Sequence, residues 1–492
     1  MRRLNAALVR RGSTHRAAKS VWGSTAPVRG ELFSAERLEA HARTLADAQG
    51  RGRHGKGRPL ASRLAENHEV LLGAYRDTLR TLDEGGAITP AAEWLIDNFH
   101  LIEKQVREIR LDLPPSYYRQ LPKIETGHLA GYPRVFGIAW AFVAHTDSHF
   151  DSDLLCRFLH AYQEVQPLTI GELWAVAITL RIVLIENLRR IAERIVISRA
   201  ARAEADRCCD RIVGTAGQVP EPATTALQAY GRADLADAFV VQLCQRLRDT
   251  DASMTPVFTW LDERLARQGT TAEEVVRDEQ QRQVAASVTV RNIVTSMRLV
   301  SDVDWAELVE RISLVDEVLK AGSGFADMDF PTRNLYRNAI EDLARGSGRG
   351  ELEVARRVIR AVGEVDDLSG EGRRCDPGYY LVAGGRAGFE VGIGFRPPVR
   401  TWPGRSIRAL GIGAYGAAIV GSAGLLLALP LVALFEAGVG IPWLAALAAL
   451  GAFPALDAGI ALVNRGVTRG FRAMPLPALE LKGGVPQKLR TL

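Results

Sequence analysis

Residues 409–462 read ALGIGAYGAAIVGSAGLLLALPLVALFEAGVGIPWLAALAALGAFPALDAGIAL, and this stretch decides what kind of protein the chain is. From 409 to 435 no side chain ionises except that of Tyr415; from 437 to 456 none does, and Asp457 stands at the exit. A helix rises about 1.5 Å per residue, so about 20 apolar residues cross the hydrocarbon core of a bilayer. Both runs meet that length, and a helix satisfies its own backbone polar groups in lipid. Residues 436–440, followed by Pro442, leave room only for a tight turn. Trp402 and Trp443 fall near the ends of the runs, where indole rings favour the membrane interface. Arg405 and Arg408 precede the first run, Arg465, Arg469 and Arg472 follow the second, and the turn has no Lys or Arg. Positively charged flanks stay in the cytoplasm, so the pattern predicts a transmembrane helical hairpin over 405–465 with both ends cytoplasmic.

The rest of the 492 residues is globular in composition. With 47% hydrophobic and 24% charged residues it is too apolar for a disordered chain. The net charge is only +5, and seven Lys or Arg precede the first acid, Glu31, so nucleic acid is not an expected partner. Five cysteines show no CxxC or other zinc spacing, and Cys208–Cys209 are the closest pair, which fits reduced thiols in a cytoplasm. Residues 1–59, with RGRHGKGR at 51–58, read as a basic disordered arm and linker. Attraction to anionic headgroups would be worth roughly 1 kcal/mol per basic residue.

Helical periodicity runs over 60–350, so the expected class is mainly α, a multi-helix cytoplasmic domain ahead of the hairpin. Thr89-Pro90 is a helix start, and Thr169-Ile170-Gly171-Glu172 is a capping box opening a long central helix. Residues 135–144 are apolar on every side yet too short to span, which predicts a buried core helix. In 351–404 one more helix precedes a change of period. Phe389, Val391, Ile393 and Phe395 alternate with Glu390 and glycines, predicting a small β-hairpin with 379–382 as partner strand.

No constellation of catalytic residues stands out. His145 and His149 share a helical face with Asp147 between them, but the spacing places no third metal ligand. Asp302-x-Asp304 and Asp327-x-Asp329 have the DxD form, yet both pairs start helices, where carboxylates suit the positive dipole end. The glycines of 383–388 (AGGRAG) are not expected to precede a helix, which argues against a phosphate cradle. There is no GxSxG and no GxxxxGK[ST]. Tyr117, Tyr118 and Trp140 carry rings able to stack on sugars, although aromatics in helical proteins are mostly core.

Several long strings add a resemblance: PAAEWLIDNFHLIEKQVREIRLDLPPSYYRQLPKI (90–124), GYPRVFGIAWAFVAHTDSHFD (131–151), QPLTIGELWAVAITLRIVLIENLRRIAERI (166–195), MDFPTRNLYRNAIEDLAR (328–345) and GYYLVAGGRAGFE (378–390). As a set, with the apolar hairpin, they resemble the N-terminal region of bacterial cyclic β-1,2-glucan synthases. The resemblance implies an inner-membrane protein whose helical region and membrane pair precede a cytoplasmic glycosyltransferase domain. That domain uses UDP-glucose, with a divalent metal, and phosphorylase-like domains follow it. The product is a periplasmic cyclic glucan. No position matching the family's catalytic motifs exists in this chain, so no catalytic, cofactor-binding or metal residue carries over. Residues 466–492 then read as a cytoplasmic linker toward a missing transferase. The expected role is membrane anchoring and scaffolding, with the lipid bilayer, the synthase's other domains and the glucan chain itself as partners. The alternative is a stand-alone membrane scaffold or regulator without enzyme activity.

Overall fold

Local capping chemistry fixes several helix starts in the computed structural model, which describes residues 24–55, 57–214, 220–231, 234–248, 255–364, 374–470, 477–481 and 484. The first element, α1 (Ala35–Gln49), lies inside the stretch expected to be a disordered arm. Ser34 caps it, and Leu38, Ala42 and Ala46 recur every fourth residue on a buried face. Four-residue spacing of small and apolar side chains outweighs a basic overall composition. The following segment is pinned as well. Arg53 exchanges backbone hydrogen bonds with Lys123 at 2.9 and 2.8 Å, and the Arg58 amide donates to Gly131. Residues 1–23 of that arm lie outside the described residues.

Next come α2 (Leu60–Asp83), α3 (Pro90–Asp97), α4 (Phe99–Asp112) and the short corner helix α5 (Pro115–Gln120). Helix α6 (Arg134–His145) is buried on nearly every side, as its composition predicts. Asp151 caps α7 (Ser152–Val165) with both Asp153 and Leu154 amides. Helix α8 (Ile170–Val213) is 44 residues long and begins with the predicted Thr169/Glu172 capping box. The same Glu172 carboxylate receives buried Arg134 at 2.6 Å, so one acid opens a helix and ties α6 to α8. Further along α8, buried Glu186 accepts from Arg63, Arg189 and Arg190 at 2.8–3.1 Å. The unit is completed by α9 (Ala223–Leu227), α10 (Asp237–Leu247), α11 (Thr255–Gln268), α12 (Ala272–Asp302) and α13 (Trp305–Ile312).

The chain divides into two compact units at Ser313/Leu314, inside the stretch read as one domain over 60–350. The second unit holds α14 (Leu314–Gly322), α15 (Phe330–Ser347), α16 (Glu351–Gly363), α17 (Pro377–Leu381), α18 (Arg386–Ile393), α19 (Trp402–Glu436) and α20 (Ile441–Gly470). The expected β-hairpin is absent: 379–382 fall largely in α17 and 388–393 in α18, and the described residues form no sheet, only isolated bridges. The alternation that suggested strands came from glycines. The operative spacing is four: Arg386 pairs with Glu390 at 3.0 Å, Phe389 is one turn from buried Ile393, and Gly394 ends the helix at φ 73°.

Helices α19 and α20 fold back on each other through a turn in which Gly438 takes φ 85°, a conformation L side chains rarely adopt. Both are long and apolar enough to cross a membrane, and only 6% and 11% of their apolar windows are buried. A core helix of a water-soluble domain does not leave so much apolar surface uncovered. Small residues let the two backbones approach: a Cβ on Gly459 would sit 3.1 Å from the Ala423 nitrogen and the Ile419 carbonyl oxygen. At the open end the Tyr415 hydroxyl donates to Asn464 at 2.7 Å. Beyond α20 the chain returns to the helices before it. The Asp329 amide donates to Ala478, the Glu480 amide to Asp327, and the Ala478 amide to the Thr332 hydroxyl, at 2.8–2.9 Å.

Candidate functional site: an arginine-lined cavity

Two hydrophobic clusters in the first unit share the long helices α8 and α12. Residues of α8 up to Ala192 pack in the larger one with Val290, Ile293, Val294 and Met297 of α12. Ala205, Cys208, Cys209 and Ile212 of α8 and Val275 of α12 pack in the smaller. Between these two sets of contacts the helices line a cavity of about 360 Å³. Helix α8 supplies Ile191, Arg194, Ile195, Ser198, Arg199 and Arg202, a stripe at three- and four-residue spacing that keeps one helical face on the cavity. Helix α12 brings Glu279, Arg282 and Gln283, and the α2–α3 connection brings Ile88 and Thr89. The segment before α1 closes one side with Ala26, Pro27 and Arg29. That segment is fastened to α8 by reciprocal hydrogen bonds between Val28 and buried Asn187, and by Arg190 donating to the Ala26 carbonyl.

Five arginines line the cavity, and four are committed. Arg29 faces Asp147 at 3.5 Å; Arg199 faces Asp77 at 3.2 Å and donates to the Thr81 hydroxyl. Arg202 and Arg282 share Glu279 at 3.4 and 3.7 Å, and Arg282 also contacts Asp237. Arg194 makes no ion pair or hydrogen bond among the described residues. The Thr89 hydroxyl is buried and also lacks a partner. Thr89 does stand at the N-cap of α3, with Pro90 at the first helical position, but its hydroxyl makes no capping bond. Asp147 and Ser148 hold left-handed backbones, φ 48° and 63°, a strained state for residues with side chains. Thr289, Asn292 and Ser296 of α12 and Asn187 of α8 hold them there through hydrogen bonds of 2.7–3.0 Å. The lining includes no Cys or His, and its single acid is clamped between two arginines. The cavity is thus lined by more arginines than acids.

No protein-family model matches the chain. A curated relative does: cyclic beta-(1,2)-glucan synthase NdvB of Rhizobium meliloti is 38% identical over 438 residues, 88% of this chain. This chain is a relative of cyclic β-(1,2)-glucan synthase. It spans about 15% of that synthase's length.

None of the rings singled out as possible glucan contacts lines the cavity. All three are partly buried against the main core of this synthase relative. The Tyr117 hydroxyl donates to the Gly171 carbonyl at 2.5 Å, and that of Tyr118 to the Arg58 carbonyl. Burial raises the Tyr118 pKa, and its ring lies under the Lys123 ammonium at 4.4 Å. Burial in turn pushes Lys123 down to about 8. The Trp140 indole has Arg190 over it at 5.0 Å.

His145 Nδ1 donates to the Glu31 carbonyl at 2.7 Å, and its ring stacks on Phe33 at 4.0 Å, whereas His149 is exposed. Asp304 and Asp329 cap α13 and α15, as the dipole argument requires. The 383–388 glycines do run into a helix, contrary to expectation, but Tyr379 already fills the space a Cβ on Gly385 would take, 2.4 Å away. Of the flanking arginines, Arg405 pairs with buried Glu390, and Arg465 and Arg469 are exposed. The Arg408 side chain and Arg472 lie outside the described residues. The sequence hint to the cavity is the arginines at 194, 199 and 202, spaced to share one face of α8.

Proposed function

We propose that the chain is the N-terminal membrane-anchoring and scaffolding module of a cyclic β-1,2-glucan synthase. The observation carrying this reading is the match to a synthase across 88% of the chain. The hairpin α19–α20 supports it, as an anchor in the bacterial inner membrane. The arginines before and after it, set against a turn without Lys or Arg, favour cytoplasmic placement of the helical units and of the segment after α20. In this role the module holds a cytoplasmic glycosyltransferase domain of the same polypeptide beside the bilayer. That domain would draw on UDP-glucose, with a divalent metal, and phosphorylase-like domains would trim the glucan destined for the periplasm. Catalysis then belongs to residues outside this sequence.

An antibody against residues 60–345 tests the module reading on native membranes. A band far above 53.7 kDa, migrating with UDP-glucose-dependent glucan synthesis, is the expected result. A band at 53.7 kDa with no synthase in complex with it would overturn the reading.

A further inference from the structure

We propose that the cavity between α8 and α12 is a binding site for an anionic amphiphile, a carboxylate or phosphate carried on an acyl chain. Its acid group meets Arg194 and the Ser198 hydroxyl; its chain lies along Ile88, Ile191, Ile195 and Ala286. Four of the five lining arginines already hold Asp147, Asp77, Glu279 or Asp237. Arg194 alone has no acid among the described residues. Ser198, one turn after Arg194 on the same helix face, adds a hydroxyl.

The rest of the lining limits the ligand further. No aromatic ring faces the cavity, so a sugar has no stacking platform. One uncommitted guanidinium matches one negative charge and leaves a di- or triphosphate short of cations. The apolar part of the wall, with Ile88, Ile191, Ile195 and several alanines, is aliphatic, and a cavity of about 360 Å³ falls in the range of small-molecule sites. The chain's own first 23 residues carry only basic charges, the wrong sign to fill it.

The test uses the full chain in phosphatidylcholine nanodiscs and two photoactivatable probes, a diazirine-bearing palmitate and a diazirine-bearing phosphatidylglycerol. The expected result is labelling of peptides from 191–202 and 279–289 by at least one probe. Labelling by palmitate alone identifies a free acyl acid; labelling by phosphatidylglycerol identifies a bilayer lipid. Dodecanoate or dodecyl phosphate should compete, while dodecanol and dodecyltrimethylammonium should not. Arg194→Gln should cut cavity labelling about tenfold, as loss of a charged hydrogen bond does. Arg194→Lys should restore part of it, and Ser198→Ala should lower it with the circular dichroism spectrum unchanged. Labelling confined to α19 and α20, or equal cavity labelling in parent and Arg194→Gln, would overturn the proposal.

Discussion

Glu186 shows how much a single buried acid can organise. Burial alone would raise its pKa, but Arg63, Arg189 and Arg190 together hold it below the usual carboxylate range. Removing one partner of a buried charge cluster leaves the others unpaired, at roughly 3–5 kcal/mol. Glu186→Gln should therefore destabilise the first unit by about that amount, read as faster hydrogen exchange along α2 and α8 in the full chain. Protection equal to the parent would contradict the account. His41 gives a pH dependence. Burial first, and the neighbouring His145 second, keep its imidazole below its usual value. Below pH 6.5 the unfolded chain then binds a proton that the folded chain refuses, so stability falls with falling pH. Protection factors of α1 amides, corrected for the pH dependence of intrinsic exchange, should fall between pH 6.5 and 5, and His41→Phe should flatten that fall.

At the scale of elements, the hairpin depends on close approach at Gly459. A larger side chain there meets the backbone of α19, and such overpacking costs about 1–3 kcal/mol. Gly459→Val should separate the helices and lower bis-maleimide cross-linking between cysteines placed at Tyr415 and Asn464; unchanged yield would refute the packing. Elements whose cause is local were legible in the sequence. The Thr169/Glu172 capping box, the aspartates capping α13 and α15, the buried α6 and the two apolar spans each follow from a few adjacent residues. A second box, Thr271 with Glu274 at the start of α12, is equally local and was passed over. The strands were misread because glycine leaves period two and period four indistinguishable in 388–395. The cavity lay beyond sequence reading for a different reason. It exists because helices some 80 residues apart share two cores and leave a gap between them, and no local pattern encodes that gap.

For the whole molecule, the orientation of the hairpin is the open question with the simplest answer. With the native cysteines replaced, Glu436→Cys should react with a membrane-impermeant maleimide from the periplasmic face, and Thr468→Cys only in inverted vesicles. The opposite pattern would reverse the proposed topology. The bonds from 478–480 back to 327–332 add something the hydropathy could not supply. Chain well before the two apolar helices, at 327–332, and chain just after them, at 478–480, are hydrogen-bonded to one another. The hairpin is thus an excursion from a knot already tied, like a fob on a ring. The segment from 332 to 478, the hairpin included, is a loop closed at its base, so the chain after it starts beside α15 and not from the free end of α20.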